Sequence, residues 1–274
     1  MLADTIGERN LWTYSALQRT AEYLEQQFAA SGYRTARQTY EVSRAPVSNI
    51  EAARPGDETP EEIVVVGAHY DTVGGCPGAN DNGTGVAALL DLAHRFAATR
   101  SSRTIRFVAF VNEEPPFFQT PQMGSYVYAK AAQARRERIV AMLSLETIGF
   151  YSTEPGSQQY PAPLDAIYPD VGDFIGFVSN VESEPLLFAA RDAFAMATSF
   201  PVQALAGPAE LPGVGWSDQW SFWQAGYPAL MVTDTAPFRY PWYHTAQDTP
   251  DKIDFERFAA VVDGIEAVVS SLAR

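Results

Sequence analysis

From Tyr14 to Ala30, apolar residues recur at Leu17, Ala21, Leu24 and Phe28, the spacing of one helical face, and Gly32 stands where a helix C-terminus favours glycine. The pattern predicts an opening amphipathic helix. Tyr33–Val42 then alternates and Asn49–Ala53 is a second short strand. Followed by the acidic, proline-containing turn Pro55–Pro60, the two read as an antiparallel pair at a sheet edge. Four short apolar runs come next, Ile63–Gly67, Ile105–Val111, Ile139–Leu145 and Ala229–Thr233, of the kind that forms strands buried on both faces. Helical patterns lie between several of them: Gly83–Ala98, with Val86, Leu89, Leu90, Ala93 and Ala97 inward, then Ser125–Ala134, and a terminal helix over Phe255–Leu272. Strands alternating with helices predict an α/β fold, a mixed, mostly parallel sheet sandwiched between helices.

Two stretches break this rhythm. Ser152–Asp173 is rich in Pro, Gly and Tyr, and Phe200–Gly215 gathers prolines and glycines near its end. Both exceed ordinary loop length, so they are expected to wall a substrate pocket within one domain spanning 1–274, with active-site loops at about 151–173 and 200–216. There is no internal repeat and no low-complexity segment.

Composition narrows the class. Hydrophobic residues are 46% and charged residues 19%, ordinary for a packed protein, and no apolar run approaches the roughly 20 residues that span a bilayer. A formal net charge of −14 argues against a nucleic-acid partner. Cys76 is the only cysteine, which excludes an intrachain disulfide and thiolate-rich zinc sites. Any metal must use His, Asp and Glu. The chain shows no secretory signal, and Met1 opens almost directly onto apolar residues, as expected of a trimmed secreted or periplasmic bacterial protein; its compartment stays open.

Each of the four buried runs ends in a metal-competent polar residue or leads into one: His69, Glu113 with Glu114, Glu146, and Asp234 with the later His244. Ligands bind outside the carboxyl ends of strands in open α/β sheets, so this convergence is what an active site requires. In Gly67-Ala68-His69-Tyr70-Asp71, a neutral imidazole suits zinc and Asp71 is placed to orient it. Asp81, in the turn Gly78–Gly85, would be a helix N-cap if it stood alone; beside the other residues it reads as a ligand. Adjacent Glu113 and Glu114 repel unless a cation divides their roles, one binding metal and the other accepting a proton from water. Glu146 follows a buried strand and needs a cation or a proton. His244 lies in Trp242-Tyr243-His244-Thr245, whereas His94 sits inside a helical run and reads as structural.

Together these segments resemble metallopeptidase family 28, the zinc exopeptidases that include bacterial leucyl aminopeptidases, glutamate carboxypeptidase and, with a single zinc, the glutaminyl cyclases. The resemblance runs from Ile6–Asn10 through His69–Asp71, Gly78–Gly85, Asn112–Glu114, Leu143–Gly149 and Ser217-Asp218 to His244–Asp254. It implies that His69 and Glu146 hold one zinc, that Glu114 and His244 hold a second, and that Asp81 bridges them. It further implies Glu113 as the general base, Tyr243 as a hydrogen-bond donor to the oxyanion, and a cis bond at Asp81–Asn82. Two positions depart from the pattern: Glu146 where relatives commonly carry Asp, and Gln219 in a Ser-Asp-His-type position, which argues against cyclase activity. The expected activity is that of a zinc-dependent aminopeptidase acting on a peptide with a free N-terminus, with Phe150, Tyr151, Phe238 and Tyr240 either lining an apolar pocket or packing beneath a loop. The rivals are a glutaminyl-peptide cyclase and a non-catalytic relative, and the oligomeric state is left open.

Overall fold

The first buried run belongs to a strand longer than its apolar core. In a computed structural model that describes residues 1–274, β3 covers Thr59–His69, and its second half is entirely buried. Beside it lie β4 (Arg103–Phe110) and β5 (Arg138–Glu146), both parallel to β3, with β8 (Ala229–Thr233) parallel to β5. β1 (Thr35–Val42) and β2 (Ala45–Arg54) form the expected antiparallel edge, joined to β4 through β2. The eight-stranded order is β1-β2-β4-β3-β5-β8-β6-β7.

The far edge was not anticipated from the sequence. β6 (Ile175–Ser179) pairs antiparallel to β8, and β7 (Val202–Ala206) pairs parallel to β6, with helix α4 (Glu184–Ala197) between them. Phe200–Gly215 is therefore not wholly loop. β7 is half-buried along its whole length and is flanked by Pro201 and Pro208, so its pattern carries neither the continuous apolar run nor the alternation that marks a strand. Pairing with β6 defines it.

Helices α1 (Tyr14–Ala30), α2 (Gly83–Phe96), α4 and α7 (Phe255–Leu272) cover one face over a core of 42 buried residues, including Leu24, Phe28, Leu89, Phe107, Phe194 and Ile265. Helices α3 (Gly124–Ala134) and α5 (Gln219–Gln224) cover the other, where Phe110, Tyr128 and Phe222 pack edge to edge or tilted. A one-turn helix, α6 (Ala236–Arg239), follows β8. The register aligns the strand ends: His69 opposes Phe110, and Glu146 opposes Thr233. All four predicted chemistry-bearing positions thus emerge at one carboxyl edge of the sheet.

Candidate metal centre

At that edge the backbone turns sharply. Asn112, Thr147 and His244 adopt φ of 58°, 47° and 57°, conformations that are costly for non-glycine residues and that concentrate at functional sites. Asp71 fixes the first of these turns by accepting hydrogen bonds from the backbone N–H groups of Glu113 and Glu114, each at 3.1 Å. Its distance to His69 Nδ1 is 3.6 Å, too long for a hydrogen bond, so Asp71 holds the two glutamates more firmly than it holds the imidazole it was expected to orient. Asp81 is not the cap of α2. Asn82 is, accepting from Gly85 N–H, which leaves the Asp81 carboxylate free to face the strand ends; the Asp81–Asn82 bond is cis.

Two triads meet at Asp81. His69 Nε2 lies 3.4 Å from Asp81 Oδ1 and 3.3 Å from Glu146 Oε2. His244 Nε2 lies 3.1 Å from Asp81 Oδ2 and 3.3 Å from Glu114 Oε2. Four ligands at about 2.1 Å in a tetrahedron stand roughly 3.4 Å apart, so both sets have the spacing of a zinc coordination shell. Asp81 serves each set with a different oxygen. Both ring nitrogens of His69 and Asp81 Oδ2 are buried without a hydrogen-bond partner, a costly state that a cation relieves. The donor set therefore fits zinc. Glu113 belongs to neither triad; its Oε2 stands 3.9 Å from His69 Nε2, beside the ligands.

The charges tell the same story. Burial, reinforced by Glu146 and Glu114, pushes the Glu113 carboxyl well above its ordinary range, and burial with the Asp81 charge raises Glu114 to about 7. Burial also raises Glu146, and it lifts Asp218 to about 7. Burial works against the charged imidazoles, yet Asp81 and Glu114 lift His244 to about 10, and His69 is raised well above its usual value by Glu146 and Glu113. Asp81, although buried, is drawn down by the two histidines. Without metal the cluster holds protons to offset its surplus of negative charge.

Several supporting residues escaped sequence reasoning. Ser217 Oγ donates to Glu146 Oε2 at 2.6 Å and meets Ser144 Oγ at 3.0 Å, which secures the longer glutamate arm. Asp248 accepts from the backbone N–H groups of Asn80 and Asp81 at 2.8 and 3.0 Å and from the Tyr240 hydroxyl at 2.7 Å. The fully buried Arg9 donates to the carbonyls of Tyr70, Pro77 and Gly78, bracing the Asp81 turn from below. Asp234, a metal-competent residue in the sequence, joins neither triad; Oδ2 accepts from Asn80 Nδ2 and from the N–H groups of Gly149 and Phe150. Gln219 is buried and donates to Val214 O. His94 is exposed on α2, 3.5 Å from Ser31 Oγ.

Beside Glu146 and Tyr243 opens a cleft, part of it open to solvent, walled by Tyr160, Leu164, Tyr168, Phe174, Trp216 and Phe238. Of the four aromatics singled out in the sequence, Phe238 alone lines it, stacked on Trp216 with ring centroids 6.1 Å apart. Phe150 and Tyr240 pack against each other and Trp242, and Tyr151 packs against Phe200. Tyr243 stacks on the His244 ring at 3.9 Å, which places its phenol at the boundary between ligands and cavity.

Residues 49–269 match the sequence profile of Peptidase family M28. The chain is 35% identical over 273 residues to the uncharacterized protein YfbL of Escherichia coli K12, covering 96% of this chain and 83% of YfbL. It is 29% identical over 218 residues to aminopeptidase YwaD of Bacillus subtilis, covering 76% of this chain and only 40% of YwaD. The crystal structure of the Fimbriiglobus ruber glutaminyl cyclase superposes with a TM-score of 0.74 at 21% identity, covering 98% of this chain and 91% of the cyclase. By its sequence profile, the chain belongs to Peptidase family M28.

Proposed function

We propose that the protein is a zinc-dependent aminopeptidase that releases the N-terminal residue from peptides. The observation that carries this reading is the pair of His and carboxylate triads sharing Asp81, with the non-ligating Glu113 beside them. His69, Asp81 and Glu146 would hold one zinc ion and Asp81, Glu114 and His244 a second, which would supply Lewis acidity and lower the pKa of water so that its deprotonated form is available as a nucleophile near neutral pH.

The chain's own residues account for the rest. Glu113, with its backbone N–H fixed by Asp71, takes the proton from the attacking water on its carboxylate and returns it to the departing amine nitrogen. The Tyr243 hydroxyl donates a hydrogen bond to the carbonyl oxygen as negative charge gathers there. The neighbouring cavity receives the side chain of the residue being released, and its wall of aromatic and aliphatic groups suits an apolar one. Similarity to aminopeptidase YwaD supports the same activity.

Substituting Glu113→Gln removes the proton acceptor and keeps the shape. Turnover of aminoacyl arylamides should fall by at least about a thousandfold while zinc content stays that of the wild type. Hydrolysis at wild-type rate by this variant would mean the base lies elsewhere.

A second reading, cyclisation of N-terminal glutamine, is favoured by one observation: the chain matches 91% of the length of a glutaminyl cyclase. Incubation with Gln-initiated and Leu-initiated peptides separates the two. Ammonia released without peptide-bond cleavage indicates the cyclase, and free leucine indicates the aminopeptidase.

A further inference from the structure

The long stretch between Phe150 and Phe174 has almost no regular structure, yet it supplies much of the cavity wall, including Gln158, Tyr160, Leu164 and Tyr168. A single buried side chain, Arg239 on α6, touches it from end to end. Its Nε donates to Gln158 Oε1 at 2.7 Å, and the same oxygen accepts from the Thr235 hydroxyl at 3.0 Å. Its Nη1 donates to Phe174 O at 2.8 Å and reaches Phe150 O at 3.4 Å. The guanidinium lies over the Phe174 ring, 4.4 Å from its centroid. Gly172 presses flat on the arginine stem: a methyl there would stand 2.8 Å from Nε.

Arg239 is only 6% exposed; burial lowers its guanidinium below the usual value against the nearby charge of Asp234, and its Nη2 is buried without a hydrogen-bond partner, so the arginine is held here at a cost. Asp234 in turn holds Asn80, the neighbour of Asp81, and the backbone after Glu146. One cation therefore stands between the support of the metal ligands and the wall of the pocket. It lines neither.

We propose that Arg239 is a positioning residue that clamps the 152–173 wall in shape and so sets the pocket's preference for a bulky uncharged side chain. The substrate part of this proposal rests on the aminopeptidase reading; the clamp does not. Arg239→Met keeps the stem against Gly172 and removes every donor. In the zinc-loaded protein, amide hydrogen exchange should rise about tenfold or more within 152–173, with β3 and α2 unchanged. The kcat/KM for a phenylalanyl arylamide should fall about tenfold, through KM, while that for an alanyl arylamide stays within about twofold. Arg239→Lys should recover part of the loss. Gly172→Ala, whose methyl would stand 2.8 Å from Nε, should displace the guanidinium and reproduce the loss, and it carries the test alone if Arg239→Met does not fold.

Unchanged exchange in 152–173, exchange rising throughout the chain, or equal loss on both substrates would overturn the proposal. If the wild-type protein hydrolyses neither arylamide, the aminopeptidase reading fails separately. Hydrogen exchange, with calorimetric binding of free phenylalanine and free alanine, then decides the clamp: retained discrimination in Arg239→Met refutes it, and lost discrimination supports it.

Discussion

Asp248 shows how much a single side chain outside the ligand set can decide. Its two oxygens take the backbone N–H groups of Asn80 and Asp81, so the Asp81 carboxylate inherits its aim from a residue far along the chain. Asp248→Ala should weaken zinc binding about 10- to 100-fold, read by competition with a chromogenic chelator, with the fold intact by circular dichroism. Unaltered affinity would show that the turn is self-supporting. The candidate ligands His69, Asp81, Glu114 and Glu146 stand out in the sequence because each follows a buried run or sits in a glycine-rich turn, and His244 lies beyond the run Ala229–Thr233. Ser217, Asp248 and Arg9 fall within the segments that carry the resemblance, but what each one supports was not readable there. Their chemistry lies in contacts with chain segments 60 or more residues away, and no local pattern marks such a partner.

Helices α4 and α7 pack through a gap left by glycine. Gly264 lies inside α7, where alanine would ordinarily favour the helix by up to about 1 kcal/mol. A methyl at this position overlaps the Phe194 ring of α4, itself fully buried against Phe177. Packing outweighs propensity. Gly264→Ala should cost about 1–3 kcal/mol in urea unfolding, and a gain in stability would refute this account of the contact. The same region marks the limit of element prediction. β3, β4, β5 and β8 declare themselves through apolar runs buried on both faces, whereas β7 is a half-buried edge strand and the apolar run of the short β6 is interrupted by Gly176. Edge strands are specified by the neighbour that pairs with them.

Across the whole molecule, the net charge of −14 becomes most consequential where the strand ends gather Glu113, Glu114, Glu146, Asp81 and Asp218. For carboxyls raised in the fold, such as Glu114 and Asp218 at about 7, the stabilising contribution is complete below their unfolded values of 4.5 and 3.8 and is lost as pH rises through 7. His244, raised from 6.5 to about 10, acts in the same direction, its contribution falling away as pH rises through 10. The metal-free protein should therefore melt at a lower temperature at pH 8.5 than at pH 5.5. Zinc reverses the trend, because its ligands bind deprotonated and its affinity grows with pH. Calorimetry with excess zinc and with chelator across this range should show the gap in Tm widening with pH; a constant gap would contradict the assignment of these groups as ligands.

Sequence periodicity determined the alternation of buried strands and helices, and with it a parallel sheet whose carboxyl edge collects the polar strand-end residues. Buried strands need continuous apolar runs, and the residue that ends such a run is where chemistry can surface. Tertiary structure alone decided that Asp81 faces both histidines, that Asp71 grips the two glutamates, that Asp234 holds Asn80 and joins neither triad, and that Arg239 contacts the pocket wall. Those relations join segments distant in the chain. They exist only once the sheet order has brought its strand ends together.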